Sequence, residues 1–130
     1  MIVIDASAMV EALVGRDADP DLLDVLSGDV DAPHLLDVEV ISVLRGLELG
    51  QKLTPRVAEQ ARRDHLAFTI TRHEFEPVAE RNWLLRFQFT AYDAAYIALA
   101  EALAAPLYTC DIKLATSGHA AEVRVISRTH

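Results

Sequence analysis

The chain has 130 residues, of which 52% are hydrophobic and 25% are charged, and this balance predicts one folded domain over residues 1–130 rather than a disordered chain. The net charge of −8 has the wrong sign for a protein that holds nucleic acid by bulk electrostatics. No apolar run is long enough for a membrane span, the first residues lack the basic leader of a signal peptide, and a single cysteine excludes an internal disulfide. We therefore expect a cytoplasmic protein without membrane association.

The first half of the chain combines short apolar runs with helical segments. Ile2–Ile4 has the uninterrupted apolar pattern of a strand buried on both faces, and Ala6–Val14 has helical composition that ends at Gly15. The patterns that follow predict a short helix over Asp21–Leu26, a brief strand near Val30, and a helix that begins at Pro33 and ends at Gly50.

The second half continues the alternation. Thr54 followed by Pro55 is typical of an N-cap with a first-turn proline, so a further helix is expected to run to about Leu66. The remaining patterns predict a strand over Phe68–Thr71, a helix over Glu74–Leu85, a helix opened by Thr90, a strand over Leu107–Cys110, a short helix over Ile112–Ala115 and a strand over Val123–Ile126. Strands separated by helices imply βαβ units, so we predict a three-layer α/β/α fold with a central, mainly parallel sheet.

Four acidic residues fall at positions that can meet in such a fold. Asp5 and Asp111 each follow a predicted strand, and Glu39 and Asp93 lie near the beginnings of the two strongest helices. In open α/β sheets, ligands bind beyond the carboxyl ends of the strands, where helices begin. The four carboxylates are therefore expected to converge on one pocket.

Each of these acids also has a purely structural explanation. Asp5 and Asp111 could be N-caps of the helices that follow them, and Asp93 could form a capping box with Thr90. Four acids at four equivalent ends are nevertheless more than helix capping requires.

Glu39 has a close competitor on its own helix. As a first-turn acid it could simply complement the helix macrodipole. Asp37 lies equally far from the centre of the apolar stripe, on its other side. Periodicity does not choose between these two acids.

Converging carboxylates need a counter-charge, because they repel one another and would otherwise be partly protonated. Mg²⁺ and Mn²⁺ prefer oxygen ligands and satisfy this need. A carboxylate-held cation of this kind activates water and stabilises the charge of an in-line phosphoryl displacement. Local positive charge from the metal would also explain how an acidic protein handles nucleic acid.

Four segments resemble the sequence blocks of PIN domains, and together they span nearly the whole chain. Ile2–Ser7 is similar to the strand and D-x-S motif that open these domains, Pro33–Arg45 to the block in which a glutamate precedes an apolar helix, Thr90–Glu101 to the third block, and Ala105–Asp111 to the final strand ending in T-x-D. The compact length and the Tyr92-Asp93-Ala94 form look most like VapC toxins of type II toxin–antitoxin pairs.

This resemblance implies roles for named residues and partners. The four acids Asp5, Glu39, Asp93 and Asp111 would form a metal-binding catalytic centre, supported by hydrogen bonds from Ser7 and Thr109 to a carboxylate or a metal-bound water. The family implies an endoribonuclease that cuts structured RNA with Mg²⁺ or Mn²⁺. It also implies a homodimer and a cognate VapB-like antitoxin whose C-terminal segment blocks the pocket.

One departure from the family pattern concerns the residues after Asp111. Many relatives carry a further acid shortly after this aspartate, whereas Ile112-Lys113-Leu114 follows here. Occupancy of a second metal site is therefore open. Lys113 either contacts an RNA phosphate or faces solvent.

Three other functions are compatible with parts of this pattern. A haloacid dehalogenase-type phosphatase would need a second aspartate two residues after Asp5, where Ser7 stands. A receiver-type phosphoacceptor domain would need an aspartate at the end of the middle strand. The predicted middle strand here, Phe68–Thr71, is followed by Arg72 instead. A PIN fold that binds RNA or protein without cutting it remains the alternative, and the intact set of four acids argues against it.

Overall fold

The computed structural model describes all 130 residues. Its strands are β1 (Ile2–Ile4), β2 (Val30–Pro33), β3 (Ile70–His73), β4 (Leu107–Thr109) and β5 (Val123–Val125). Its helices are α1 (Ala6–Val14), α2 (Pro20–Val25), α3 (Leu35–Leu49), α4 (Pro55–Ala67), α5 (Ala79–Leu84) and α6 (Ala91–Leu103), with 3₁₀ turns at Glu76–Val78 and Ile112–Ala115. None of the helices has the length and apolar character needed to cross a membrane.

The five strands form one parallel sheet in the order β3-β2-β1-β4-β5. The chain builds outward from β1 to β3 and then returns to place β4 on the other side of β1, so the strand order reverses between β1 and β4. Right-handed crossovers put α1 to α4 on one face and α5 and α6 on the other. Helices α1, α3 and α4 accordingly contact one another, and α6 contacts α5. The predicted three-layer α/β/α fold is confirmed.

Helix α6 holds its own N-terminus close to the ends of the central strands. Every residue from Ala94 to Ala100 is buried, and four of these seven are alanines. Small side chains let the helix approach β1, β2 and β4, which it contacts directly. Thr90 caps the helix by accepting a hydrogen bond from the Asp93 backbone N–H (3.1 Å), as the sequence predicts. Asp93 is thereby fixed in the first turn, above the carboxyl edge of the sheet.

Helix α1 is tied to the last residues of the chain through the fully buried Glu11. Its carboxylate accepts hydrogen bonds from the Thr129 backbone N–H (2.6 Å) and from the Thr129 hydroxyl, and His130 Nδ1 lies 2.8 Å from Oε1. A Cβ at Gly15 would overlap this carboxylate. The space occupied by the Glu11 carboxylate therefore leaves room only for glycine at position 15, the predicted end of the helix.

The region around Pro33 differs from the sequence prediction. The brief strand expected near Val30 is a full strand of four buried residues, and Pro33 is its last residue rather than the first residue of a helix. Helix α3 begins two residues later, at Leu35. Proline is tolerated at this last residue of the strand because the ladder stops there, and the next N–H, that of His34, donates to the His73 carbonyl (3.1 Å).

The predicted strand Phe68–Thr71 is displaced by two residues, and β3 spans Ile70–His73. Phe68 instead ends α4, where its N–H donates to the His65 carbonyl (3.3 Å). The predicted helix over Glu74–Leu85 is also shorter than expected. Its first part is a 3₁₀ turn, and regular α-helix is confined to Ala79–Leu84.

Candidate functional site

Asp5 lies at the carboxyl end of β1, beside the point where the strand order reverses. It is 7% exposed, and it is the N-cap of α1, with Oδ1 accepting from the Ala8 N–H (3.0 Å). Two hydroxyls also donate to it, Ser7 to Oδ1 (2.7 Å) and Thr109 to Oδ2 (2.5 Å). A carboxylate has about four acceptor positions, so these three bonds leave one for a ligand.

Ser7 and Thr109 connect the end of β1 to the end of β4. Because each hydroxyl has one hydrogen, and both hydrogens go to Asp5, the two oxygens remain free to accept. Ser7 Oγ accepts from the Cys110 N–H (2.8 Å), and Thr109 Oγ1 accepts from the Asp111 N–H (2.9 Å). Both residues predicted to support the site therefore position Asp5 and the segment that leads to Asp111.

The ammonium group of Lys113 lies beside the carboxylates of both Asp111 and Asp93. Asp111 caps the 3₁₀ turn after β4, with Oδ1 accepting from the Lys113 N–H (2.9 Å). The Lys113 ammonium Nζ lies 3.8 Å from Oδ2 of Asp93 and 3.8 Å from Oδ2 of Asp111. The lysine side chain is 60% exposed, so it reaches the two acids from the solvent side.

Glu39 lies on α3 and faces the acids through a contact with α6. The buried Tyr96 hydroxyl donates to Glu39 Oε1 (2.6 Å), joining the two helices that flank the carboxyl edge of the sheet. The carboxylate itself is half-buried. No sequence motif marks this contact, although a buried tyrosine hydroxyl normally has a hydrogen-bond partner.

Asp37 points away from this group and pairs with two bases. Arg72 binds it with two hydrogen bonds, from Nε to Oδ2 (2.7 Å) and from Nη2 to Oδ1 (3.0 Å). The fully buried His65 lies 2.7 Å from Oδ1 through Nε2. The Arg72 guanidinium, with help from His65, lowers the pKa of Asp37. Of the two acids that periodicity left open, Glu39 faces the other acids and Asp37 does not.

The charges of the acids act on one another. Burial raises the pKa of Asp5 above its ordinary value despite the hydroxyl bonds, and the charge of Asp93 raises it further. Burial also raises the pKa of Glu39, with contributions from Asp5 and Asp93. For Asp93, burial and Asp111 raise the pKa while Lys113 lowers it. Burial and neighbouring like charges therefore both disfavour the ionised form of these acids, and a cation beside them would favour it.

The arrangement brings the four predicted acids to one edge of the sheet without forming a closed ligand set. As the side chains stand, no three histidine, cysteine, aspartate or glutamate residues are placed to hold one metal ion. The chemistry of the donors nevertheless fits a hard divalent cation, because all four are carboxylates and their mutual repulsion favours a positive ion.

A further acid near this edge lies outside the predicted set. Asp31 of β2 is 3% exposed, and its Oδ1 lies 2.7 Å from His73 Nε2 at the end of β3. Its Oδ2 is buried without a hydrogen-bond partner. The sequence gives little sign of this pair, because the two residues are 42 positions apart and lie in strands whose first and last residues the sequence patterns do not define.

Comparisons with known proteins identify the family. Residues 2–118 match the PIN domain. Ribonuclease VapC12 of Mycobacterium tuberculosis is 38% identical over 129 residues, covering 98% of this chain and 100% of that protein. Ribonuclease VapC1 of the same organism is 40% identical over 129 residues, covering 95% of this chain and 96% of that protein.

Solved structures support the same fold. The crystal structure of PAE2754 from Pyrobaculum aerophilum superposes with a TM-score of 0.71 at 21% identity, covering 94% of this chain and 82% of that one. That of M. tuberculosis VapC20, described as a Sarcin-Ricin loop cleaving toxin, superposes with a TM-score of 0.62 at 16% identity, covering 92% and 97%. The solved structures show the same fold, and the family match together with the relatives near 40% identity establishes that the chain belongs to the PIN-domain family and, within it, to the VapC ribonucleases.

Proposed function

We propose that this protein is a metal-dependent endoribonuclease, the toxin of a toxin–antitoxin pair, and that Asp5, Glu39, Asp93 and Asp111 form its catalytic centre. The observation that carries the proposal is that Asp5, Glu39 and Asp93 meet at the switch point of the sheet, where burial and the charge of Asp93 raise the pKa of Asp5 and of Glu39 and a divalent cation would stabilise the carboxylates. The full-length similarity to VapC ribonucleases supports the same activity. Mg²⁺ is the proposed cation, with Mn²⁺ as an alternative.

The residues of this chain have distinct tasks in the proposed reaction. A bound cation would act as a Lewis acid and would lower the pKa of a water molecule bound to it. Asp5, held by Ser7 and Thr109, presents its one free acceptor position in a fixed direction. The Tyr96 hydroxyl orients Glu39 toward the same space. Without the cation, the acidic edge repels the phosphates of RNA, so substrate binding and chemistry should share one metal requirement.

Cleavage of total cellular RNA by the purified protein tests the proposal. We expect discrete fragments with Mg²⁺ or Mn²⁺ and none with EDTA, and restored cleavage when excess Mg²⁺ is returned. Mapping the fragment ends would identify the RNA target. Folded protein that binds RNA but leaves it intact under every metal condition would favour the alternative of a PIN-fold binding module.

Substitution of the two competing acids on α3 provides a second test. We expect Glu39→Gln to lower the cleavage rate by about 10- to 100-fold, because it removes a carboxylate that positions the cation or its water. Asp37→Asn should leave the rate within about threefold, since its carboxylate pairs with Arg72 and His65 away from the acids. It should instead lower the free energy of unfolding by about 1 to 3 kcal/mol, because that pair is only partly exposed. The opposite ranking of the two cleavage rates would place the site on the other face of α3.

The proposed partners are RNA, a VapB-like antitoxin and a second copy of the chain. Several large apolar side chains are available for protein contacts, since Trp83 and Phe87 are 63% and 83% exposed. The Arg86 guanidinium lies over both rings, 4.4 Å and 4.2 Å from their centroids. Light scattering of the isolated protein tests the homodimer, and co-purification with a co-expressed VapB-like protein tests the antitoxin.

A further inference from the structure

Lys113 is the sole cationic side chain within 4 Å of any of the four acids. Its Nζ lies 3.8 Å from Oδ2 of Asp93 and 3.8 Å from Oδ2 of Asp111. Neither Asp5 nor Glu39 has a lysine, arginine or histidine within that distance. Asp93 and Asp111 therefore share an ammonium group, whereas Asp5 and Glu39 have no cationic side chain beside them.

The backbone holds the lysine in this place. The Lys113 N–H donates to Asp111 Oδ1 (2.9 Å), and the Leu114 N–H donates to the Asp111 carbonyl (3.1 Å). Leu114 is 1% exposed and packs in the hydrophobic core, which fixes the 3₁₀ turn against the sheet. A long side chain that starts from a fixed Cα beside Asp111 has its ammonium group directed to the gap between the two carboxylates.

An ammonium group in that gap bears on how many metal ions the site can hold. An ammonium group and a divalent cation about 4 Å apart repel each other even at the dielectric constant of water, and more strongly in a half-buried site. A second divalent cation between Asp93 and Asp111 would meet this repulsion. Asp5 and Glu39 have no cationic side chain within 4 Å, so a first cation held by these two acids and Asp93 can lie farther from the ammonium group.

We propose that Lys113 is a built-in counter-ion that occupies the place of a second metal ion, so that this enzyme works with one divalent cation held by Asp5, Glu39 and Asp93. The inference rests on the proposed function, since it assumes that the acids bind a cation at all. In this arrangement the lysine is a positioning residue, which neutralises Asp111 and keeps the second metal position empty.

Counting bound Mn²⁺ by electron paramagnetic resonance tests the inference without reference to cleavage. We expect one tightly bound Mn²⁺ per chain in the parent and in Lys113→Arg, and two in Lys113→Gln. Lys52→Gln is a matched control, because Lys52 is the one other lysine of the chain, is exposed in the turn after α3, and its loss changes the net charge equally. Lys52→Gln should bind one ion.

The outcomes separate the inference from the proposed function. If the parent and Lys113→Gln both bind one ion, the inference is wrong and the proposed function stands. If the parent binds two ions, the inference is also wrong. If the parent binds none, both the metal-dependent function and the inference fail.

The two lysines also allow the ion pair itself to be observed. Reductive ¹³C-methylation keeps the positive charge of each lysine and should give one NMR signal for Lys52 and one for Lys113, besides that of the terminal amine. We expect the Lys113 signal to move in Asp93→Asn and on addition of Mg²⁺, while the Lys52 signal stays in place. A Lys113 signal that is unaffected by both changes would show that the ammonium group does not occupy the acidic gap.

Discussion

Asp93→Asn is expected to lower the rate of RNA cleavage by on the order of 10³-fold, equivalent to about 4 kcal/mol of transition-state stabilisation. Asp93 is central to the site because its charge raises the pKa of both Asp5 and Glu39, and because it lies beside Lys113 and Asp111. An amide keeps the size of the side chain but removes the charge that would hold the cation. Single-turnover cleavage of a defined RNA substrate measures the effect.

The same variant should fold normally. The hydrogen bond from the Asp93 backbone N–H to Thr90 does not depend on the carboxylate, so capping of α6 survives. Loss of a repelled charge should leave the metal-free variant as stable as the parent, or slightly more stable. Saturating Mg²⁺ should raise the Tm of the parent but not that of the variant. Asp64→Asn on the exposed surface of α4 is the matched control. Cleavage by Asp93→Asn within about threefold of the parent would remove this residue from the catalytic centre.

Glu11→Ala is expected to lower the free energy of unfolding by about 3 kcal/mol. Glu11 is fully buried, and its removal leaves the Thr129 backbone N–H, the Thr129 hydroxyl and His130 Nδ1 without their acceptor. The truncation also opens a cavity beside α1. Urea denaturation measures the loss. Glu122→Ala is a suitable control, because the Glu122 side chain is 62% exposed and pairs with Arg124 in solvent, where we expect a change below about 0.5 kcal/mol.

The effect of Glu11 on stability should depend on pH. Burial by itself would raise its pKa, but the hydrogen bonds from Thr129 and the neighbouring His130 lower it below the ordinary value of 4.5. A lowered pKa in the folded state stabilises the protein above pH 4.5, and this contribution is lost as the pH falls through the folded value. The gap between parent and Glu11→Ala should therefore narrow in acid. A gap that is constant from pH 7 to pH 3 would contradict the assignment.

The sequence predicts the elements that have a clear local pattern better than it predicts strand β3. The run Ile2–Ile4 and the caps at Thr54 and Thr90 lie where the structure has them, because local chemistry alone determines them. Strand β3 is different. It lies at the edge of the sheet, its last residues are Thr71, Arg72 and His73, and only Ile70 is buried. A polar edge strand has no apolar pattern, so only its pairing with β2 defines it.

The acids show why capping and function cannot be separated by sequence. Asp5 and Asp111 do cap the segments that follow them, as the structural explanation holds, and they also lie at the carboxyl edge of the sheet beside the other acids. One residue can serve both purposes, because a cap uses only part of a carboxylate's accepting capacity. The distinction between Glu39 and Asp37 needed tertiary contacts. Tyr96 lies 57 residues after Glu39, and Arg72 lies 35 residues after Asp37.

Anomalous diffraction from crystals grown with Mn²⁺ tests most directly the claim that these carboxylates hold a catalytic cation. We expect one peak, within about 2 to 2.5 Å of carboxylate oxygens of Asp5 and Asp93 and with Glu39 bound directly or through water. The Lys113 ammonium should remain beside Asp111. Crystals that show no peak at the carboxyl edge of the sheet at millimolar Mn²⁺, or a peak only elsewhere on the protein, would contradict the account.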